Sequence, residues 1–198
     1  MEIVDFILRS VDNVLKQEFG RSITDEGVHV LDPFTGTGTF IVRLLQSGLI
    51  DPADLARKYA SELHANEILL LAYYIAAINI ETTFHDLQAE FHGVESAVED
   101  YEPFDGIVLT DTFQLTEDGD LQDETVFPTN NTRAEAQKKL DIRVIVGNPP
   151  YSVGQTSGND DNANVRYPTL DARVRDTFAA RTDLSLIHIS EPTRRYAI

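Results

Sequence analysis

The chain has 198 residues, 42% hydrophobic and 25% charged, enough for one domain with a real core and too short for two full ones. Its 33 acids against 16 bases give a formal net charge of −17, which repels a phosphate backbone, so any nucleic-acid surface has to be local or lie elsewhere. No apolar run reaches the ~20 residues that span a bilayer, no signal sequence opens the chain, and the absence of cysteine removes disulfides, thiolate metal sites and thiol nucleophiles. The expectation is a soluble cytoplasmic protein with no membrane contact.

In chain order, Val4, Ile7, Leu8, Val11, Val14 and Leu15 recur at helical spacing and predict an amphipathic helix over 4–19, stopped by Gly20. Residues 28–31 form a short apolar strand running into Asp32-Pro33-Phe34-Thr35-Gly36-Thr37-Gly38, and 39–46 resume a helical pattern. Asp51-Pro52 reads as an N-cap with proline at the first helical position, opening a helix to about residue 58. A strand is expected over 59–64, before Asn66-Glu67 and a helix over 68–80 that is apolar nearly all round and so packed between layers.

Residues 81–103 are acidic and read as a helix plus a loop. A buried strand over 105–110 ends at Asp111, and a polar loop over 113–134 leads to a short helix at 134–140. A second buried strand over 142–146 runs into Gly147-Asn148-Pro149-Pro150-Tyr151. Strands alternating with helices predict an α/β doubly wound parallel sheet, which binds ligands at the carboxyl ends of its strands. Asp32, Glu67, Asp111 and Asn148 all follow strands, the strongest sign of a ligand site that the residues themselves give.

Each motif has a chemical reading. Gly36 and Gly38 allow close backbone approach to a ligand, although a tight strand-to-helix turn needs the same glycines. The loop lacks the lysine of a P-loop, and the third glycine of a dinucleotide fingerprint would fall at Ile41, which speaks against an NTPase or an NAD site. Glu67 can accept from ribose hydroxyls and Asp111 from an adenine amino group, though either residue alone also serves as an ordinary loop acid. Asn148 and Pro149 offer two carbonyls to an exocyclic amine, prolines 149 and 150 stiffen that backbone, and Tyr151 offers a flat face to an extruded base. Methylation at a cytosine ring carbon generally uses a cysteine, so transfer to an exocyclic nitrogen is the compatible chemistry. The five histidines are scattered without ligand spacing, and no metal site is expected.

Together, Asp-Pro-Phe-Thr-Gly-Thr-Gly-Thr-Phe, Asn66-Glu67 with Ala76 and Asn79 behind it, Thr110-Asp111-Thr112-Phe113-Gln114 and Val-Gly-Asn-Pro-Pro-Tyr-Ser-Val-Gly-Gln resemble the DNA adenine-N6 methyltransferases. Over residues 4 to about 181 the resemblance is to the methyltransferase region of type ISP restriction–modification enzymes. It implies a class I S-adenosylmethionine-dependent methyltransferase fold, Rossmann-like and cut off after the fourth strand. The expected organisation is an N-terminal helix and linker at 1–27, a partial catalytic core at 28–183, and a tail at 184–198 that looks like translated adapter sequence.

The implied activity is methyl transfer from S-adenosyl-L-methionine to N6 of adenine in double-stranded DNA, with the target base flipped out. Asn148, Pro149, Pro150 and Tyr151 would be the catalytic residues. Phe6, Asp32, Pro33, Phe34, Gly36, Gly38, Glu67, Asp111 and Phe113 would bind the cofactor. The nuclease, helicase-like and target-recognition regions of the same polypeptide would be its partners, and this stretch alone would be inactive. Asn-Pro-Pro-Tyr also serves enzymes that methylate guanine in RNA or glutamine in protein, which is the alternative activity; a non-catalytic fragment is the other.

Overall fold

A computed structural model describes residues 2–92, 101–117, 129–149, 167–177 and 179–181. Two compact units are distinguished: one comprises residues 1–112 and 121–148, the other 113–120 and 149–198. Tyr151, Pro150 and the tail at 184–198 lie outside the described residues.

The first unit is built on four parallel strands: β1 (His29–Asp32), β2 (Leu63–Glu67), β3 (Ile107–Leu109) and β4 (Ile142–Ile145). Their order across the sheet is β3-β2-β1-β4. The chain therefore steps outward in one direction through β1, β2 and β3, then returns to the other side of β1 to lay down β4. A topological switch point falls between β1 and β4, where doubly wound sheets place their ligands. The α/β parallel sheet expected from the sequence is what forms.

The helices are α1 (Glu2–Phe19), α2 (Thr39–Gln46), the short α3 (Leu55–Arg57), α4 (Leu70–His92) and α5 (Asn130–Gln137). Alternate strand residues face opposite sides of a sheet. Val30, Leu63, Ala65, Ile107, Leu109 and Val144 face one side and join Leu8 of α1, Ile41 and Leu44 of α2, and Ala76 and Ile80 of α4 in a single core. The opposite face is more polar yet still buried, through His64, Asn66 and Val108. All five residues of β2 are buried, as a parallel sheet covered on both faces requires.

Beyond β3 the side chain of Asn130 takes the place of a neighbouring strand. It accepts from Leu109 N at 2.8 Å and donates to Leu109 O at 2.9 Å.

Four expectations need correction. The strand placed at 59–64 begins only at Leu63, because Lys58–Glu62 form a π-helical turn. The fully buried Lys58 ammonium donates to Asp25 O and Val28 O, each at 2.8 Å, and pairs with Glu62 at 2.8 Å. Glu62 in turn accepts from Gly27 N at 2.7 Å. These bonds satisfy polar groups that would be orphaned in an extended strand.

The helix expected after Asp51 forms with Pro52 at its start, but its first turn (Pro52–Asp54) is 3-10 before it continues into α3, and Asp51 makes no side-chain cap. Helix α4 runs on to His92, past the end expected for it. It is not covered all round either: Leu71, Tyr74 and Ile78 stand exposed.

In the second unit, α6 (Pro168–Thr177) is capped by Glu117, which accepts from Thr169 N at 2.7 Å and Leu170 N at 2.9 Å. Among the described residues no helix is long and apolar enough to cross a membrane.

Candidate functional site at the carboxyl edge of the sheet

Because the four strands are parallel, their carboxyl ends share one edge. Asp32 and Glu67 are the last residues of β1 and β2, Asp111 follows the end of β3, and Asn148 follows the end of β4. Strand order therefore arranges the stations as Asp111, Glu67, Asp32, Asn148.

The turn after β1 is tethered on all sides. Gly36 and Gly38 take φ of 57° and 90°, in the left-handed region that favours glycine. At Gly38 closeness matters as well: a Cβ there would lie 3.3 Å from Ile80 Cγ1 and 3.4 Å from Ala76 Cα. Asn79 donates to Thr37 O at 2.9 Å from the same helix. Ala76 and Asn79, singled out in the sequence by their spacing from Glu67, thus hold the turn against α4.

Glu67 is the central contact. One carboxylate oxygen accepts from Gly36 N at 2.7 Å and the other from Leu69 N at 2.8 Å. A carboxylate has about four lone-pair directions, so roughly two remain for further donors.

Asp32 is fully buried at the end of β1. Its Oδ1 accepts from Phe34 N at 3.1 Å, while Oδ2 has no hydrogen-bond partner among the described residues. Burial pushes its carboxyl up to about 6, further raised by Glu67 and held back by the Phe34 and Thr35 hydrogen bonds. A desolvated carboxylate beside Glu67 and Asp111 gives this edge a negative potential, which favours a cationic ligand over an anionic one.

Behind these stations runs a hydrogen-bonded chain that the sequence did not suggest. Asn66 Nδ2 donates to Thr112 Oγ1 at 3.3 Å, and Thr112 Oγ1 donates to Pro33 O at 2.7 Å. Gly147, quoted in the sequence only as part of Val-Gly-Asn-Pro-Pro-Tyr, lies against the Asp32 carboxylate, so that a Cβ on it would fall 2.8 Å from Asp32 Oδ1.

Of the residues expected at the site, Asp32, Pro33, Phe34, Gly36, Gly38, Glu67, Asp111 and Asn148 gather at this edge, with Asn148 exposed. Phe6 stands exposed on α1, next to Asp5, whose carboxylate Arg43 of α2 grips at 2.6 and 2.7 Å. Phe113 and Pro149 belong to the second unit, where the Phe113 ring lies 5.6 Å from that of Tyr167. Among the described residues no group of three or more histidine, aspartate or glutamate side chains is arranged to hold a metal ion.

No family model matches the chain, and no curated protein matches it. Solved structures do. A nuclease-deletion mutant of the type ISP restriction–modification enzyme LlaGI, in complex with a DNA substrate mimic, is 49% identical over 95% of this chain, with a TM-score of 0.78. The ATP-dependent type ISP restriction–modification enzyme LlaBIII, bound to DNA, is 48% identical over 93%, with a TM-score of 0.77. A DrdV–DNA complex is 39% identical over 94%, with a TM-score of 0.75. The chain spans only 15%, 12% and 17% of those three chains respectively.

Proposed function

Because the chain is close in sequence and fold to one segment of type ISP restriction–modification enzymes, we propose that it is the S-adenosylmethionine-binding, methyl-transferring part of such an enzyme, acting on N6 of adenine in DNA. The observation that carries this is the Glu67–Gly36 hydrogen bond at 2.7 Å. In a dinucleotide or NTP site, the backbone N–H groups of the glycine turn are needed for phosphate. Here Gly36 N–H is already given to a carboxylate, and three acids line the same edge. Phosphate is repelled, while a nucleoside with a positively charged tail is attracted.

The residues present fit that cofactor. Glu67 keeps about two acceptor directions for the two ribose hydroxyls, Asp111 accepts from the adenine amino group, and the turn from Asp32 to Gly38 lies beside the methionine portion. When bound, S-adenosylmethionine supplies an electrophilic methyl group on a sulfonium.

The protein's share of the chemistry falls to the segment after β4. The carbonyls of Asn148 and Pro149 accept from the two amino hydrogens of the target adenine, which localises the nitrogen lone pair as the methyl group approaches. Tyr151 stacks on the extruded base. DNA is the partner this assigns, as in the LlaGI and LlaBIII complexes. With a net charge of −17, the basic surface that holds the phosphate backbone belongs to other parts of such an enzyme.

Titration calorimetry of the chain with S-adenosylmethionine, NAD and ATP tests the cofactor assignment. Binding of the first alone supports it, and binding of NAD or ATP instead overturns it. Transfer of labelled methyl groups by an active enzyme carrying this segment, offered DNA, RNA and protein in parallel, tests the substrate. N6-methyladenine in DNA is the expected product, and label in RNA or protein alone would reassign the enzyme.

A further inference from the structure

The chain from Asn66 through Thr112 to Pro33 links the immediate neighbours of three stations. Pro33 follows Asp32, Asn66 precedes Glu67, and Thr112 follows Asp111. Side chains alternate along a strand, so Asn66 points away from Glu67, to the opposite face of the sheet. The hydrogen bonds at 3.3 and 2.7 Å therefore run behind the ligand edge and do not compete with a ligand for it. Two further bonds fix the same corner: Thr35 N donates to Asn66 O at 2.9 Å, and Thr110 N to Glu67 O at 2.8 Å.

Asn66 is fully buried, and after donating to Thr112 its Oδ1 has no partner among the described residues. An apolar residue of the same size would avoid burying that unpaired acceptor. Local costs of this kind concentrate at functional sites.

On the strength of the cofactor assignment above, on which this rests, we propose that Asn66 and Thr112 are positioning residues that set the spacing between the glycine turn, Glu67 and Asp111. They govern the fit of a ligand that spans the methionine, ribose and adenine positions at once. Neither touches the ligand. The short Thr112–Pro33 bond holds the turn to the end of β3. Releasing it lets the methionine position drift relative to the adenine position while leaving each position intact.

The consequence is selective. Adenosine occupies only the Glu67 and Asp111 positions, whereas S-adenosylmethionine also reaches the turn. In Thr112→Val, which keeps shape and loses the hydroxyl, affinity for S-adenosylmethionine should fall about tenfold, the size of one neutral hydrogen bond. Affinity for adenosine should stay within about threefold, because its two stations are tied mainly by the backbone bond from Thr110 N to Glu67 O. Thr112→Ser keeps the hydroxyl and should restore both. Asn66→Leu breaks the chain from its other end and should show the same selectivity at smaller size, since its bond is the longer one.

Calorimetry with both ligands on the full 198-residue chain, alongside urea unfolding of each variant, is the experiment. Equal losses for the two ligands, or no rescue by Thr112→Ser, overturn the positioning role and leave the cofactor assignment standing. Failure of the unsubstituted chain to bind S-adenosylmethionine overturns that assignment and the positioning role with it.

Discussion

Gly147 lies so close to Asp32 that a Cβ on it would fall 2.8 Å from the Asp32 carboxylate oxygen Oδ1 and 3.2 Å from Pro33 Cδ. The end of β4 thus packs directly on the turn after β1, across the switch point of the sheet. Gly147→Ala must push β4 outward or displace the Asp32 carboxylate from Phe34 N. A loss of about 1–3 kcal/mol, the usual cost of overpacking, should appear in urea unfolding. Weaker S-adenosylmethionine binding should accompany it. Unchanged stability and binding would show that the contact is readily relieved.

Asp32 itself is held at a cost. Its carboxyl is raised from the ordinary 3.8 to about 6, chiefly by burial. A raised carboxyl binds its proton more tightly in the folded protein, so the contribution of Asp32 to stability is fully present below pH 3.8, is lost as the pH rises to about 6, and is level above. Asp32→Asn cannot ionise and escapes this penalty. Its stability gain over the unsubstituted chain should be about 2 kcal/mol larger at pH 7 than at pH 4.5. The same substitution should weaken S-adenosylmethionine binding by removing negative potential at the strand ends. A gain independent of pH would remove Asp32 as its source.

His64 works in the opposite sense. Burial first, then His29, whose Nδ1 lies 3.0 Å from His64 Nε2, push its imidazolium down to about 4 from the ordinary 6.5. A depressed histidine stays neutral when folded, so its contribution is complete above pH 6.5 and is lost as the pH falls towards 4. Between those limits the Asp32 effect partly masks it. In an Asp32→Asn background the chain should therefore lose about 2 kcal/mol between pH 7 and pH 5. Adding His64→Gln should abolish most of that loss. Persistence of the full loss would assign it to other groups.

On the proposed reading, chemistry rather than binding depends on Asn148. In an active enzyme carrying this segment, Asn148→Ala should reduce methylation at saturating cofactor at least ~100-fold, the effect of removing one preorganised hydrogen-bonding group. Cofactor affinity should change only a few fold. Tyr151→Phe should be mild and Tyr151→Ala severe, since stacking needs the ring and not the hydroxyl. Rapid turnover by Asn148→Ala, with cofactor binding lost instead, would move Asn148 from the target base to the cofactor.

The sequence by itself determined the class of fold and the strand-end stations. Apolar runs of strand length, each closed by a polar residue, encode strands whose ends face a ligand edge, and that information is local. Gly36 and Gly38 were legible for the same reason, since a left-handed backbone leaves its mark in the residue type. Tertiary structure decided what depends on partners distant along the chain. Residues 59–62 read as the first part of a strand over 59–64. They are a π-helical turn because the buried Lys58 ammonium finds Asp25 O, Val28 O and Glu62 there. The order β3-β2-β1-β4 places Asn148 beside Asp32 rather than beside Asp111. The bonds from Asn66 to Thr112 and from Thr112 to Pro33 bridge 46 and 79 residues. A hydroxyl beside an aspartate carries no local sign of which carbonyl it will meet, and a glycine does not announce whether it is needed for its own backbone angle or, as at Gly147, for a neighbour's carboxylate.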